Sequence, residues 1–421
     1  MFVRIVALWL ACCWVPLLTA EELRAGAATV DITPPIGYPL WGYAARRDAP
    51  SKAVRDRLQA RALVLHADSA SLALVGLDLG RAPTRDSSAR IRQRVREQGN
   101  IDAVFLVASH THHGPVLEDA SWPTPQAPYV RDLEDRLVNV ILQAGKAARP
   151  ARLGIASRTT QLNRNRHSRL ADKPVDRELL VLRIEDSAGK PIAHAVQFAA
   201  HPTLLPASLM EFSADYPGVL CRQVEKATGA PCLFLQGAAG DLSPNSSDGR
   251  RTPEQFGAAL ADQVLDSLQN LRCQTTGKLS LRWQREELAF AARVDLKNPL
   301  WKTALSAAFY PRLIAFYERE YAGGVRPELT TAVLDGRIGF VGVSGEFFSA
   351  HALHLKRRAR LDHLFFLGYC NDYHQYFPTI EAIAEGGYGT EVYIGTAEIG
   401  AGERIMDRAL QALYRHRGKL R

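Results

Sequence analysis

The pattern that most constrains the fold of this chain is the alternation of short apolar runs with segments of helical periodicity. Runs typical of buried strands cover residues 60–66, 72–77, 101–107, 192–200 and 232–236, and helical patterns cover 84–98, 130–148, 216–228 and 253–271. This rhythm predicts an α/β fold of mixed, largely parallel sheets flanked by helices. Because ligands in open α/β sheets bind beyond the carboxyl ends of the strands, we expect a functional site there.

The pattern changes at residue 278. Longer β-like alternation covers 278–294, a helical segment follows at 301–321, and further strands are predicted at 328–334 and 337–343. We expect either a mixed sheet or a second subdomain to begin there. The chain has no low-complexity linker and no internal repeat, so we expect a single unit over residues 21–421 rather than two independent domains.

The first 20 residues have the features of a secretory signal peptide. Arg4 precedes the apolar stretch 5–18, which is too short to span a bilayer, and polar residues begin at Glu21. We therefore expect export, to the periplasm or the exterior. Four cysteines then remain: Cys221, Cys232, Cys273 and Cys370. A short-range bridge between the first two and buried free thiols are both compatible with the sequence.

The charge balance argues against a nucleic-acid partner. Lys and Arg total 52 against 44 Asp and Glu, a net charge of +8, and the basic residues are scattered rather than clustered. Only residues 414–421 are dense in positive charge. This tail either contacts anionic lipid headgroups or is a solvated helix end, so we expect at most peripheral membrane contact.

A histidine cluster directly follows the apolar run 101–107. His110, His112 and His113 lie within Ala-Ser-His-Thr-His-His-Gly-Pro, residues 108–115. Residues at i and i+2 of an extended chain share a face, so His110 and His112 are expected to point into one pocket. Imidazole is a common metal ligand, but a cluster of this kind is also compatible with a hydrogen-bonded loop.

Other predicted strands end in similar polar residues. His201 follows the strand 195–200, and Pro202 restricts it to extended geometry. A glycine-rich turn that contains Ser243 follows 232–236, and Glu346 follows 339–343 at the expected start of a helix. The strand 364–367 runs into a tyrosine-rich segment that extends to residue 388. Each motif alone has a structural explanation, but together they indicate a shared site.

Two imidazoles and one carboxylate match the three-ligand pattern of a catalytic zinc site, which leaves a position open for water. The candidates are His110 or His112, His201 and Glu346. Their separations along the chain do not by themselves prove that they converge.

These motifs, in this order, resemble the catalytic domain of the neutral (alkaline, non-lysosomal) ceramidase family. The most specific are His-Thr-His-x-Gly-Pro at 110–115, His-Pro-Thr at 201–203 and Gly-Asp-x-Ser-Pro-Asn at 240–245. Further matching pieces lie at 26–35, 41–43, 61–64, 165–166, 213–218, 345–347 and 373–388.

The resemblance implies one Zn²⁺ per chain, held by His110, His201, Glu346 and a tyrosine. Tyr376 is assigned as that tyrosine, because Tyr376 and Tyr388 resemble the family's spaced tyrosine pair.

The resemblance also implies roles for four pocket residues. Tyr388 would hydrogen-bond the reacting group, and His112 would stabilise the oxyanion or move a proton to the departing amine. Arg166 and Ser243 fall on pocket positions of the family. Ser243 lacks the Gly-x-Ser-x-Gly elbow of an activated serine, so we favour substrate positioning for it over nucleophilic attack.

The implied activity is that of an exported, zinc-dependent hydrolase of linear amide bonds with a role in sphingolipid metabolism. Metal-activated water would cleave the N-acyl bond of ceramide (N-acylsphingosine) or of a related small-molecule or lipid amide. Dedicated ceramidases of the family carry a further C-terminal β-sandwich domain, which we do not expect in these 421 residues. The alternatives are a non-catalytic ceramidase-like binding protein and a metal-dependent ester or phosphoester hydrolase.

Overall fold

The structure, a computed structural model, describes residues 22–119, 121–122, 128–274, 279–308 and 313–421. The predicted signal peptide, residues 1–20, lies outside these described residues. The strands are β1 (Arg24–Asp31), β2 (Ala53–Val54), β3 (Gln59–Ala67), β4 (Ala70–Leu77), β5 (Ala103–Ala108), β6 (Arg149–Thr159), β7 (Asn163–Asn165), β8 (Glu178–Asp186), β9 (Pro191–Phe198), β10 (Glu211–Phe212), β11 (Cys232–Gln236), β12 (Leu242–Pro244), β13 (Leu281–Glu287), β14 (Glu328–Leu334), β15 (Ile338–Val343), β16 (Glu346–Phe347), β17 (His363–Leu367) and β18 (Tyr376–Phe377). The helices are α1 (Arg85–Gly99), α2 (Tyr129–Lys146), α3 (Asp215–Thr228), α4 (Pro253–Gln269), α5 (Pro299–Ala308), α6 (Ile314–Glu320), α7 (Ser349–Ala359), α8 (Ile380–Glu385) and α9 (Ala401–His416), with a short 3-10 turn at Ala44–Arg46.

The larger sheet has eight strands in the order β11-β9-β8-β6-β1-β3-β4-β5. Both faces of this sheet are apolar. Successive side chains of a strand point to opposite sides, so strands with continuous apolar runs contribute to a core on each face. In β3, Ala62 and Val64 face one core, whereas Leu63 and Leu65 face another. Helices α1 to α4 pack on the outer face of this sheet.

A second sheet, in the order β13-β14-β15-β17, covers the inner face of the first. The core between the two sheets includes Phe105 and Leu182 from the first sheet and Phe340 and Phe365 from the second. Helices α7 and α9 cover the outer face of the second sheet. The resulting layers are helix, sheet, sheet and helix. The change of pattern at residue 278 therefore marks the start of this second sheet.

The predicted α/β class, with mixed sheets flanked by helices, is confirmed. The expectation of largely parallel strands is corrected: in the larger sheet only β4 with β5 and β9 with β11 are parallel, and the other neighbours are antiparallel. Tight turns explain the difference, because they join strands directly and no crossover helix is needed. Asp68 (φ 54°) lies between β3 and β4, and Gly189 (φ 83°) between β8 and β9.

The larger sheet coils until β11 lies against β4, although the two strands are far apart in the sheet order. A Cβ at Gly76 would lie 2.9 Å from the carbonyl oxygen of Phe234, so the close approach requires glycine there. At the end of β11, the side-chain amide of Gln236 donates to the carbonyl oxygens of Ser109 and Ala200, both at 2.9 Å. The carboxyl ends of β5, β9 and β11 therefore meet.

The predicted helix at 301–321 corresponds to two helices, α5 and α6, and residues 309–312 between them lie outside the described part. Among the described helices, none has the length and apolar character needed to cross a membrane. The four cysteines of the described part are free thiols, which selects that alternative over a bridge between Cys221 and Cys232.

Candidate metal centre

His110 lies two residues beyond the end of β5 and is buried. Its backbone is left-handed (φ 67°), and its N–H donates to the carbonyl oxygen of Leu79 at 2.9 Å. The ring Nδ1–H donates to the carbonyl oxygen of Gly80 at 2.8 Å. A carbonyl oxygen only accepts, so Nδ1 carries the ring proton and Nε2 presents a lone pair.

His201 is fixed in the same way beyond β9. It is fully buried, and its Nδ1–H donates to the carbonyl oxygen of Ala239 at 2.6 Å. Burial and the neighbouring Arg166 cation lower the pKa of His201 to about 3, so the imidazole is neutral. Its Nε2 atom therefore also presents a lone pair, directed towards the site of His110.

Glu346 brings a carboxylate to these two nitrogens. Its Oε2 atom lies 2.9 Å from Nε2 of His201 and 3.4 Å from Nε2 of His110. Burial opposes its ionisation, but the two imidazoles outweigh this effect and hold the pKa of Glu346 well below its usual range. Glu346 lies in the short strand β16, which pairs with β18, whereas the sequence predicted it at a helix start; α7 begins three residues later, at Ser349.

The donor set fits a metal ion such as zinc. Two ring nitrogens and an ionised carboxylate oxygen are all acceptors, and a cation satisfies acceptors that face one another. Both histidines donate their other ring N–H to a backbone carbonyl, which is the usual support of a metal-bound imidazole. This is the arrangement that the three-ligand pattern of the sequence requires.

Tyr376 and Arg166 lie beside His201. The Tyr376 hydroxyl is 3.4 Å from Nε2 of His201, and burial raises the pKa of this tyrosine well above its usual value. Arg166 Nη2 donates to the Gly240 carbonyl oxygen at 3.0 Å and to the Tyr376 hydroxyl at 3.2 Å, and it lies 2.9 Å from Nε2 of His201. Arg166 thus presents a fixed positive charge at this edge of the centre.

Tyr388 lies further out. It is 60% exposed, its ring centroid is 5.6 Å from that of Tyr376, and the guanidinium carbon of Arg166 is 5.7 Å from its centroid. Partial burial and the charge of Glu346 raise the pKa of Tyr388. The residue therefore borders the solvent side of the centre.

His112 completes a cluster with His110 and His201, since one nitrogen of each ring lies within 4.8 Å of the others. Its Nε2 atom is 3.3 Å from Nε2 of His110, and its ring packs edge-on against Tyr43 with centroids 4.6 Å apart. Its Nδ1 atom is buried and has no hydrogen-bond partner among the described residues. Burial lowers the pKa of His112 well below its usual value.

Ser243 lies in β12, which pairs with β7 beside the backbone of Arg166. Its hydroxyl is buried and, within the described part of the chain, has no hydrogen-bond partner. His113 points elsewhere: its Nδ1–H donates to the carbonyl oxygen of Glu211 at 2.9 Å, and Arg46 donates to its Nε2 atom at 2.9 Å. His113 therefore has a structural role.

Three aromatic residues without a role predicted from the sequence also shape the centre. Tyr373 donates its hydroxyl to Oε1 of Glu346, and Tyr369 donates to Oε2 at 3.4 Å. The Trp41 ring packs edge-on against His110 with centroids 5.3 Å apart. Trp41 and Tyr373 lie in motifs that carry the family resemblance, and that was the signal available from the sequence; Tyr369 lies outside these motifs.

The fold and the centre define an α/β protein with a candidate metal site at the carboxyl ends of its strands. Residues 23–277, more than half of the chain, match the sequence profile of the neutral/alkaline non-lysosomal ceramidase family, N-terminal region. The chain belongs to this family. The match includes His110 and His201 but ends before Glu346 and Tyr376.

Two curated relatives are neutral ceramidases B and A of Dictyostelium discoideum. The first is 28% identical over 170 residues and the second 30% over 173, in each case 34% of this chain and 24% of the relative. The alignments thus cover about a quarter of each relative.

Among solved structures, neutral ceramidase from Pseudomonas aeruginosa has a TM-score of 0.78 at 18% identity, covering 95% of this chain and 75% of that one. A structure described as ceramidase complexed with C2 has a TM-score of 0.77 at 19% identity, covering 95% of this chain and 76% of that one. These likenesses establish the fold.

Proposed function

We propose that this protein is a zinc-dependent amide hydrolase that cleaves the N-acyl bond of ceramide or of a related N-acyl lipid. The observation that carries the proposal is the convergence of two imidazole Nε2 atoms and one ionised carboxylate on a common point. Family membership and the names of the relatives support the substrate class. His110, His201 and Glu346 would hold the metal, with Tyr376 as the fourth protein ligand.

When bound, zinc acts as a Lewis acid and lowers the pKa of water from 15.7 to about 7. The side chains around the centre supply the remaining functions. Arg166 is held at the edge of the centre by its bonds to Gly240 and Tyr376, and its positive charge can stabilise the negative charge that develops on a substrate carbonyl oxygen. The Nε2 atom of His112 faces the centre, 3.3 Å from Nε2 of His110, so it can take a proton from the attacking water and pass it to the departing amine, while Nδ1 keeps the ring N–H.

Ser243 and Tyr388 are suited to binding substrate. The Ser243 hydroxyl is buried without a described partner, so it is free to hydrogen-bond a polar group of the substrate. Tyr388 presents a phenol at the solvent side of the centre. Both would orient the amide rather than form a covalent intermediate.

The test compares the wild-type protein with His110→Ala and with His354→Ala, which removes an exposed histidine of α7. Substitution of residues that hydrogen-bond metal ligands typically lowers metal affinity or activity by about 10- to 100-fold. Removal of a ligand itself should therefore lower N-acylsphingosine hydrolysis by about 100-fold or more. The His110→Ala protein should also bind one equivalent of zinc less than the wild type. His354→Ala should change neither the rate of hydrolysis nor the zinc content. Unchanged hydrolysis in His110→Ala would overturn the proposal.

A substrate panel separates this function from its alternatives. We expect N-acyl lipids to be cleaved in preference to the matching esters and phosphoesters. Faster ester or phosphoester cleavage would assign the centre to another hydrolase class. Zinc binding without turnover of any member would indicate a binding protein.

We also propose that the protein is exported, on the evidence of the apolar segment 5–18 and the polar residues that follow it. The expected mature N-terminus is Glu21. Intact-mass measurement of the protein from its native host tests this, and a full-length chain in the cytosolic fraction would contradict export.

A further inference from the structure

A second cluster of side chains that could hold a metal includes two residues of the tyrosine-rich segment, and none of its members belongs to the centre described above. It consists of Glu320, at the end of α6, with Asp372 and His374, which follow β17. One donor atom of each residue lies within 4.8 Å of the other two. Asp372 and His374 are separated by one residue, as are His110 and His112 in the first centre.

His374 is the observation that points to a ligand. Its side chain is fully buried, and neither ring nitrogen has a hydrogen-bond partner among the described residues. Its Nε2 atom lies 3.1 Å from Oδ2 of Asp372 in an ion-pair contact, whereas its Nδ1 atom has no polar contact of either kind among the described residues. A buried ring nitrogen without a hydrogen-bond partner is unfavourable, so something is expected to satisfy it. The short nitrogen–oxygen approach is compatible with two ligands around one cation.

Arginines orient the carboxylates of this cluster. Arg81 Nη2 is 2.9 Å from Oδ1 of Asp372, and Arg85 pairs with Oε1 of Glu320. The other oxygen of Asp372, Oδ2, faces His374 and is 3.8 Å from Nε of Arg85. A guanidinium thus binds one oxygen of each carboxylate, and the second oxygen of Asp372 is directed at the imidazole.

The buried part of this cluster holds more carboxylates than guanidiniums. Arg81 and Glu118 are completely buried, and Asp372 is 5% exposed. Arg81 thus faces two buried carboxylates, those of Glu118 and Asp372. Because a buried charge without a partner is costly, a cation beside His374 would stabilise the second carboxylate.

We propose that Glu320, Asp372 and His374 form a second metal site, which takes a divalent transition metal of the zinc type. An imidazole nitrogen with two carboxylate oxygens is a donor set that suits zinc, whereas magnesium and calcium prefer oxygen ligands alone. None of its three residues belongs to the first centre, so the proposal of this site does not rest on the amide hydrolysis proposed above.

The second site would fix the loop that carries the tyrosines of the first. Between β17 and β18, Tyr369, Asn371 and Gln375 have left-handed φ values of 53°, 65° and 63°. Such backbone conformations persist only where the surroundings hold them. A metal that ties Asp372 and His374 to α6 would hold this loop, and with it the Tyr373 hydroxyl that contacts Glu346. We therefore expect the metal of the second site to have a structural role.

The first arm of the test measures metal content in a chain that lacks the first centre. His110→Ala/His201→Ala protein, purified after exposure to zinc and dialysed, should retain about one zinc per chain by mass spectrometry. Adding Asp372→Asn or His374→Asn should remove it, whereas adding His354→Ala should not. A folded double variant that binds no zinc would overturn the proposal, as would zinc that is retained after Asp372→Asn.

The second arm uses the intact first centre, in case the double variant does not fold. Wild-type protein should bind about two zinc ions and Asp372→Asn protein one, with cooperative thermal unfolding as the control for folding. Cobalt substitution adds a spectroscopic readout, because loss of the second site should remove part of the visible absorption. One metal in both proteins would mean that His374 and Asp372 form an ion pair instead, and would overturn the proposal. Neither arm uses hydrolysis, so failure of the proposed activity would not affect the outcome.

Discussion

His194 lies within β9 and is 1% exposed, and neither of its ring nitrogens has a hydrogen-bond partner in the described part of the chain. Unlike His374, it has no carboxylate beside it: the nearest charge that acts on it is the Arg183 cation. Burial and this cation lower the pKa of His194 to about 4. It is therefore a neutral core residue, and its burial has a measurable effect on stability.

We expect His194 to make the protein less stable as the pH falls from about 6.5 to 4. In this window the unfolded chain binds a proton at His194 and the folded chain does not, so the free energy of unfolding decreases with falling pH. A shift of the pKa from 6.5 to about 4 corresponds to about 3 kcal/mol at most. His194→Leu should lose this component, as measured by urea unfolding at pH 7, 6, 5 and 4.

The control for this prediction is His354→Leu, at an exposed position of α7. The carboxyls of Asp215 and Asp241, whose pKa values burial raises to about 6, act in the opposite direction in the same pH window. They are present in all three proteins and cancel in the comparison. Parallel pH profiles for wild-type and His194→Leu protein would show that His194 does not titrate as described.

The histidine cluster shows how far single residues were predictable. The i, i+2 argument placed His110 and His112 together, and their Nε2 atoms are 3.3 Å apart. The i, i+2 argument did not predict the left-handed backbone conformation of His110. That conformation depends on the hydrogen bond from the His110 backbone N–H to the carbonyl oxygen of Leu79 on the neighbouring segment. The different environment of His113 likewise depends on Arg46, which is distant in sequence.

At the level of elements, periodicity located the long strands and helices but not their pairing. The short strands β16 and β18 have two residues each, too few for any periodic pattern, yet they place Glu346 beside Tyr376. The turn after β11 supports them, since the Gly240 N–H donates to the Phe347 carbonyl oxygen at 2.9 Å. The sequence motif around Gly240 indicated a turn but not the hydrogen bond that this turn makes to Phe347 in β16.

Gly240→Ala should disturb this contact and weaken the metal centre. A Cβ at position 240 would lie 2.6 Å from the carbonyl oxygen of Glu346 and 3.0 Å from that of Phe347. Backbone atoms cannot rotate away, so β16 must shift. We expect a loss of about 1–3 kcal/mol in stability and, by comparison with changes next to metal ligands, about 10- to 100-fold weaker zinc binding. Thermal unfolding and competition with a chelator measure the two effects.

Gly145→Ala is the matched control, since a Cβ there would meet only Cδ1 of Ile101, at an ordinary 3.5 Å. Gly145 lies within α2, where alanine is favoured over glycine by up to about 1 kcal/mol. This variant should be as stable as the wild type or more so, with unchanged zinc affinity. Equal zinc affinity in Gly240→Ala would show that β16 tolerates the displacement.

At the scale of the whole molecule, the family match and the fold have different boundaries. The match ends at residue 277, whereas the second sheet begins with β13 at Leu281. The core between the sheets joins the two parts, and the second part supplies Glu346 and the tyrosines. The sequence indicated a change at residue 278, but the face-to-face packing of the two sheets depends on distant apolar residues that periodicity alone does not pair.

A chain that ends at residue 277 should therefore fail to fold cooperatively. It would expose the inner face of the larger sheet, where Phe105, Leu182 and Leu235 are buried against the second sheet. Each fully buried apolar side chain contributes about 1.5–3 kcal/mol, so exposing about five of them cancels a typical domain stability of about 5–15 kcal/mol. Urea unfolding, with binding of a hydrophobic dye, measures the loss against residues 22–421. If the shorter chain unfolded cooperatively and bound zinc as the longer one does, the second sheet would be dispensable for both the core and the metal centre.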